Sequence, residues 1–327
     1  MFLEMVEAGA TIWEHRGAIL GIFDSIVARV KYGSLQLVVF GPGGAGKSTL
    51  GKFLQGKVDG LGKYDESLDT EEYKLKSDLW CTILVPPGQK RRREAIPFWD
   101  TLYENLRKGV ATGVINVSAW GFHSFDAEHS KIGYRKHKIF AELAEEQAAA
   151  SKQLTSAGAT RKARKGKPKG KKAKPGTLAP STTPATALSE NTEPTKQQFL
   201  ERYLERKRDE EIGVIQELVK PLIQAKGRLW MISLIAKQDL WWTDRETVRR
   251  HYVEGAYSKE VNKITEKHAG FLHEYWSTSF VRENFKDGEG VELSPVAAGY
   301  EDGIKHANLH KFVKMVEDLS KAVSAHA

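Results

Sequence analysis

The 327-residue chain has a single cysteine, Cys81, so it can form no intrachain disulfide and no cysteine-rich metal site. That scarcity fits a reducing, cytoplasmic setting. No uninterrupted apolar run approaches the length of a membrane-spanning helix. A cleavable secretion signal is not expected, because Glu4, Glu7 and Glu14 make the N-terminus acidic. There is neither a Met-Gly start for myristoylation nor a C-terminal prenylation cysteine. Residues 1–32 leave peripheral membrane attachment open. There Ile12, Ile19, Phe23, Ile26, Val27 and Val30 recur at helical spacing, and Gly33 is a stop signal. Such a helix suits a membrane surface, a partner or the domain's own core. Its polar face holds as much acid as base, which disfavours anionic lipid.

Charge excess is also missing from most of the chain. The formal net charge is +8, and residues 151–195 hold ten Lys or Arg against two Asp or Glu, so that segment accounts for all of it. The segment is built of Lys, Ala, Gly, Pro, Ser and Thr with almost no large apolar side chains. It cannot bury enough surface to offset its ordering entropy, so it is expected to lack fixed structure. Its basic core, residues 161–174, has the charge to meet nucleic acid or an anionic membrane without sequence specificity. A solubilising linker is the alternative.

What is present is a phosphate cradle. Residues 35–50, LQLVVFGPGGAGKSTL, give an apolar run, a glycine-rich turn and a helix start. The turn fits G-x-x-x-x-G-K-S/T, with Gly41, Gly46, Lys47 and Ser48 in the fixed positions. Gly41, Gly43, Gly44 and Gly46 let backbone N–H groups curl around phosphate oxygens. Ala45 and Thr49 complete the cradle. Lys47 reaches the β and γ phosphates, and the Ser48 hydroxyl suits Mg²⁺. The helix that follows adds its positive end.

Residues 56–72 read as a loop, where a Mg²⁺-sensing hydroxyl is sought at Thr70 first and Ser67 second, with ordinary loop hydroxyls as the alternative. Two short β-like runs, 73–76 and 79–85, lead into Pro86-Pro87-Gly88-Gln89. From here the chain resembles Ras-like and Arf-like GTPases, whose third motif is Asp-x-x-Gly-Gln after the switch loop. The resemblance implies that Gly88 meets the γ-phosphate and that Gln89 orients the attacking water as the catalytic residue. Val85 stands where the family has a Mg²⁺-supporting Asp, and a valine cannot ligate. Lys90, Arg91, Arg92 and Arg93 then offer either a cationic group or a solvated face.

Residues 97–108 carry a helical apolar face, and 110–120 read as a buried strand. His123 and His129 are expected in a surface loop, because no carboxylate spacing supports a metal or catalytic role. Residues 136–150 look helical. A second long helical pattern runs from 195 to 225, with Pro221 expected to kink or break it. A buried strand over 228–235 ends in Ala236-Lys237-Gln238-Asp239, resembling the Asn/Thr-Lys-x-Asp of GTPases. That resemblance implies that Asp239 accepts from guanine N1–H and N2–H₂ and that Lys237 lies along the base and touches the phosphate loop. Ala236 departs from the family's bracing Asn or Thr. Helices are expected at 244–268, a last strand at 271–275, and a guanine-reading turn at Ser277 or Thr278. Residues 284–307 read as a polar loop before a closing helix marked by Leu309, Phe312, Val316, Leu319 and Val323.

These elements alternate, which argues for an α/β fold. The resemblance implies a three-layer P-loop NTPase fold with a mostly parallel sheet, a Ras-like G domain, preceded by an N-terminal helix. The expected organisation is a helix at 1–33, a G domain at 34–150 and 196–327, and a basic insertion at 151–195. The expected function is that of a GTP-binding protein, a slow GTPase switch using GTP/GDP and Mg²⁺ and meeting a protein effector. Val85 keeps open a nucleotide-binding scaffold without turnover, and a P-loop ATPase is a third reading.

Overall fold

A computed structural model describes residues 36–56, 71–74, 82–85, 112–125, 132–163 and 193–324. Several expectations lie outside those residues: the helix at 1–32, Ser67 and Thr70, Gly88 and Gln89, the basic run 90–93, the helix at 97–108, His129, and all but the first three residues of the basic core 161–174.

Strands β1 (Gln36–Phe40), β2 (Glu71–Lys74), β3 (Thr82–Val85), β4 (Thr112–Ser118), β5 (Leu229–Ile235) and β6 (Phe271–Ser277) form one sheet. Their order is β2-β3-β1-β4-β5-β6, with β2 antiparallel to β3 and every other neighbouring pair parallel. β1 therefore lies between β3 and β4, and the loop after it opens at the strands' C-terminal ends, where α/β sheets bind ligands. This is the mostly parallel α/β arrangement expected of a P-loop GTPase-like fold.

Both faces of the sheet are covered, which is why the central strands read as continuous apolar runs rather than alternating ones. On one face Leu37, Val39, Ile115, Val117, Ile232 and Leu234 join Leu50 and Phe53 of α1 (Lys47–Leu54) and Phe312 and Val316 of α7 (Asp302–Ser324) in one core. The other face is laced with polar groups. Tyr257, on α6 (Ala256–Lys267), takes a hydrogen bond from Asn116 Nδ2 at 2.6 Å and donates to Ser233 Oγ at 3.0 Å. Helix α5 (Arg245–Glu254) precedes α6, and the short helix α4 (Gln238–Trp241) follows β5 directly.

Residues 134–202 cluster as a second compact unit, apart from 1–133 and 203–327. It holds α2 (Lys138–Ala163) and the first turns of α3 (Lys196–Ile223). An aromatic cluster organises it: Tyr134 lies 5.5 Å from Phe199 and 5.8 Å from Phe140 between ring centres. Helix α2 runs thirteen residues into the segment expected to lack structure, so that expectation is corrected for 151–163. The reason is local: 138–163 is rich in Ala, Glu, Lys and Gln and contains no proline.

Two further expectations need correction. Pro221 sits inside α3, which ends two residues later at Ile223, so the proline marks the helix's last turn and does not split it. The 284–307 loop contains a hairpin of β7 (Phe285–Lys286) and β8 (Glu292–Ser294), and its last residues already belong to α7.

Candidate nucleotide site

The glycine-rich turn lies between β1 and α1. Gly41 and Pro42 are buried, Gly43 and Gly44 form the turn, and Ala45 is buried in the apolar core as the loop's anchor. Gly46 caps α1 with φ 104°, a left-handed conformation that an L side chain rarely takes, and a Cβ there would meet nothing within 4 Å. The cradle is therefore open on the Gly46 side. Lys47 is 7% exposed, and its Nζ donates to the Pro42 carbonyl at 2.9 Å, arching across the loop. Ser48 and Thr49 are half-buried in the first turn of α1.

A second segment, 119–125, leaves β4 and meets this loop. Ser124 N–H donates to the Gly44 carbonyl at 2.9 Å. A Cβ on Gly44 would stand 2.6 Å from Ser124 N, so only glycine lets the two backbones touch. Lys237 Nζ donates to Ser124 Oγ at 3.3 Å. Ser124 thus links the phosphate loop to the Lys-x-Asp turn, and Lys237 reaches that loop through one intermediary. Burial holds the Lys237 ammonium down to about 8, against the upward pull of Glu283 and Asp239. Its backbone is left-handed at φ 55°.

Segment 119–125 is itself held by a buried carboxylate. Glu211 of α3 is fully buried and accepts from Ala119 N–H at 2.7 Å, Gly121 N–H at 3.2 Å, His123 Nε2–H at 2.8 Å and the Tyr252 hydroxyl. Burial pushes this carboxyl up, and the bonds from His123, Tyr252 and Ala119 more than reverse it, leaving it below the usual range. Burial lowers the His123 imidazole, opposed by its contact with Glu211 through Nε2. The surface-loop expectation for His123 is therefore corrected: it is 0% exposed, and Tyr203 Oη donates to its carbonyl at 3.0 Å. The sequence signal for Glu211 was its place on the stripe Tyr203, Lys207, Glu211, Ile215, Leu218 and Leu222, all of which are buried.

At the end of β5, Ala236 is buried and its carbonyl accepts from Trp241 Nε1–H at 2.9 Å. That bond and the Lys237–Ser124 bond brace the turn. Asp239 is 1% exposed. Its Oδ1 accepts from Ser279 Oγ at 2.5 Å, and its Oδ2 from Glu283 N–H at 3.1 Å. Burial raises the Asp239 carboxyl above its usual range, opposed by those two donors.

Ser277 is the last residue of β6, half-buried, and accepts from Gln238 Nε2 at 2.8 Å. Thr278 is 0% exposed and still donates its N–H to the Ile235 carbonyl at 3.2 Å, as a strand residue would. The chain leaves the sheet one residue later, so Ser279 is the hydroxyl that meets Asp239. An order-only match in the Ser277-Thr278-Ser279 run could not fix that register.

Mg²⁺ is the usual companion of a phosphate-bound loop, and Ser48 Oγ is the described side chain suited to hold it, together with phosphate oxygens. Val85 is 1% exposed within the apolar core, so the end of β3 offers the ion no carboxylate. Among the described residues, no group of three or more His, Cys, Asp or Glu could hold a metal ion, and no helix is long and apolar enough to cross a membrane.

No family model and no curated protein matches this chain. Among solved structures, an ADP-ribosylation-factor-like GTP-binding protein, the small COPII coat GTPase SAR1 of Encephalitozoon cuniculi in complex with GDP, is similar over 98% of this chain and 93% of that one. The TM-score is 0.42 and the sequence identity 11%.

Proposed function

We propose that the chain binds a guanine nucleotide across the C-terminal ends of β1, β4, β5 and β6 and acts as a slow GTP-dependent switch. One relay supports this reading: Gly44 carbonyl to Ser124 N–H, and Ser124 Oγ to Lys237 Nζ. It ties a phosphate cradle to a Lys-x-Asp turn, so the two halves of a nucleotide site are mechanically one. In this reading Gly41, Gly43, Gly44, Ala45, Gly46, Lys47 and Thr49 cradle the phosphates. Ser48 and Thr70 hold Mg²⁺, which neutralises phosphate charge. Lys237, Asp239, Ser277 and Thr278 face the base, Gly88 meets the γ-phosphate, and Gln89 orients water. A protein effector would read the segments 56–72 and 86–95. The basic core 161–174 would meet an anionic partner.

Thermal melting against a nucleotide panel tests it. GTP and GDP at a hundred times their Kd should each stabilise the fold by about 2.7 kcal/mol, and ATP at the same concentration should not. An equal rise with ATP would transfer the reading to an ATPase.

A second reading, a scaffold that binds nucleotide without turnover, is favoured by Val85 in the apolar core. Tight GTP binding with hydrolysis at background, unchanged by Gln89→Ala, selects it. Hydrolysis that Gln89→Ala abolishes selects the switch.

A further inference from the structure

The segment that follows β6, residues 279–300, runs back over the Lys-x-Asp turn and grips it at several points. Glu283 N–H donates to Asp239 Oδ2 at 3.1 Å, and Ala297 N–H donates to the Asp239 carbonyl at 2.7 Å. Phe285 is 4% exposed, and the Lys237 ammonium lies 5.8 Å from its ring centre. The same ring packs edge-on against Phe122 at 5.4 Å. Farther along, Tyr300 packs against Trp242 at 5.6 Å. The segment is also tied to itself, because Asn284 Oδ1 accepts from Val296 N–H at 2.9 Å.

A carboxylate that reads a base must present its oxygens to it. Here the carboxylate faces the protein's own serine and backbone, and the ammonium beside it faces the protein's own ring.

We propose that the strap 279–300 competes with the base for Asp239 and Lys237, so that nucleotide entry requires the strap to lift and Glu283 N–H to release Asp239. The proposal rests on the guanine-nucleotide reading above. The phosphate end takes no part in the competition, since the strap's grip falls on Lys237, Asp239 and Phe122 rather than on Gly41–Ser48. Apparent nucleotide affinity is then the intrinsic affinity scaled by the fraction of molecules with the strap lifted.

Two probes separate the ends of the site: Mg²⁺-GDP, which needs the base end, and Mg²⁺-pyrophosphate, which needs only the phosphate loop. In the full chain, Phe285→Ala removes the ring beside Lys237, and Glu283→Pro removes the N–H that Asp239 accepts. Stopped-flow association of GDP should speed up by about tenfold in Phe285→Ala, the scale of two lost aromatic contacts. Pyrophosphate affinity should stay within about twofold, the noise level of one small free-energy increment. Glu283→Pro should act in the same direction. Hydrogen exchange on the wild type gives an independent reading: the Glu283 amide should exchange faster with GDP bound. Unchanged or slower GDP association in both variants, with pyrophosphate still bound, would overturn the strap while leaving the phosphate site standing. A Glu283 amide better protected with GDP bound would do the same. Failure of the wild type to bind pyrophosphate or GDP would overturn the nucleotide reading, and the strap proposal with it.

Discussion

Gly46 and Asp239 stand at opposite ends of the proposed site and differ in what surrounds them. A Cβ on Gly46 would meet nothing within 4 Å, whereas Asp239 is 1% exposed with a donor on each carboxylate oxygen. The phosphate end is made of backbone and held open by left-handed glycine. The base end is made of side chains and closed by contacts from residues forty positions away in sequence. Glycine geometry is local, so the first end forms whenever its own sequence forms. The second end forms only when the rest of the domain has packed.

The comparison can be broken most severely through Glu211, which supports the segment between the two ends. Glu211→Ala leaves the N–H groups of Ala119 and Gly121 and the His123 ring without their acceptor. It should cost about 3–5 kcal/mol, read from urea unfolding. A loss under about 1 kcal/mol would mean that the carboxylate is not the organiser of segment 119–125.

A pair of glycine substitutions sharpens the contrast within the phosphate loop. Gly44→Ala combines a left-handed backbone, φ 73°, with a Cβ 2.6 Å from Ser124 N. It should cost about 2–4 kcal/mol in strain and overpacking, measured by chemical denaturation. Gly46→Ala has the strained backbone, φ 104°, without the clash, and should cost about 1–2 kcal/mol. Equal losses at the two positions would show that Ser124 does not press on the loop.

The smallest effect concerns acid. His273, on the edge strand β6, accepts or donates one bond with Ser233 Oγ at 2.9 Å, and burial pushes its imidazole down to about 4 from 6.5. Its folded value is the lower one, so the unfolded chain takes up a proton that the folded one refuses. Stability is therefore full above pH 6.5 and falls as the pH drops toward 4. Between pH 6.5 and 5.5 this group alone should remove about 1 kcal/mol. His273→Gln should flatten the melting-temperature profile over that interval. A profile equally steep in the variant would place the acid sensitivity elsewhere, at His123 or His251, which burial also lowers.

What was legible in the sequence follows the same division. The turn at 41–48 and the places of the core strands along the chain could be read because glycine spacing and apolar runs act over a few residues. Ser279 was missed because its role depends on where β6 ends, and Thr278 still pairs like a strand residue. Glu211 was missed because a carboxylate among Arg208, Asp209 and Glu210 looks solvated until the helix is rotated against β4. Residues 284–300 of the strap fall in the stretch expected as a polar loop, since Phe285 is the one aromatic anchor between Phe280 and Tyr300, and its burial is decided by Phe122 and Lys237. Helix α2 extends past residue 150 into low-complexity sequence because helix formers persist there as far as Ala163 and no proline interrupts them.

The most direct test of the central claim is calorimetric titration of Mg²⁺-GDP into the wild type and Lys47→Ala. Lys47 bridges the loop to Pro42 and, in the proposed reading, is the side chain that meets phosphate charge. The account predicts saturable binding to the wild type, weakened by about 10–100-fold in Lys47→Ala, the value of a charge-assisted phosphate contact. Equal binding by the two proteins, or none by the wild type, would contradict it.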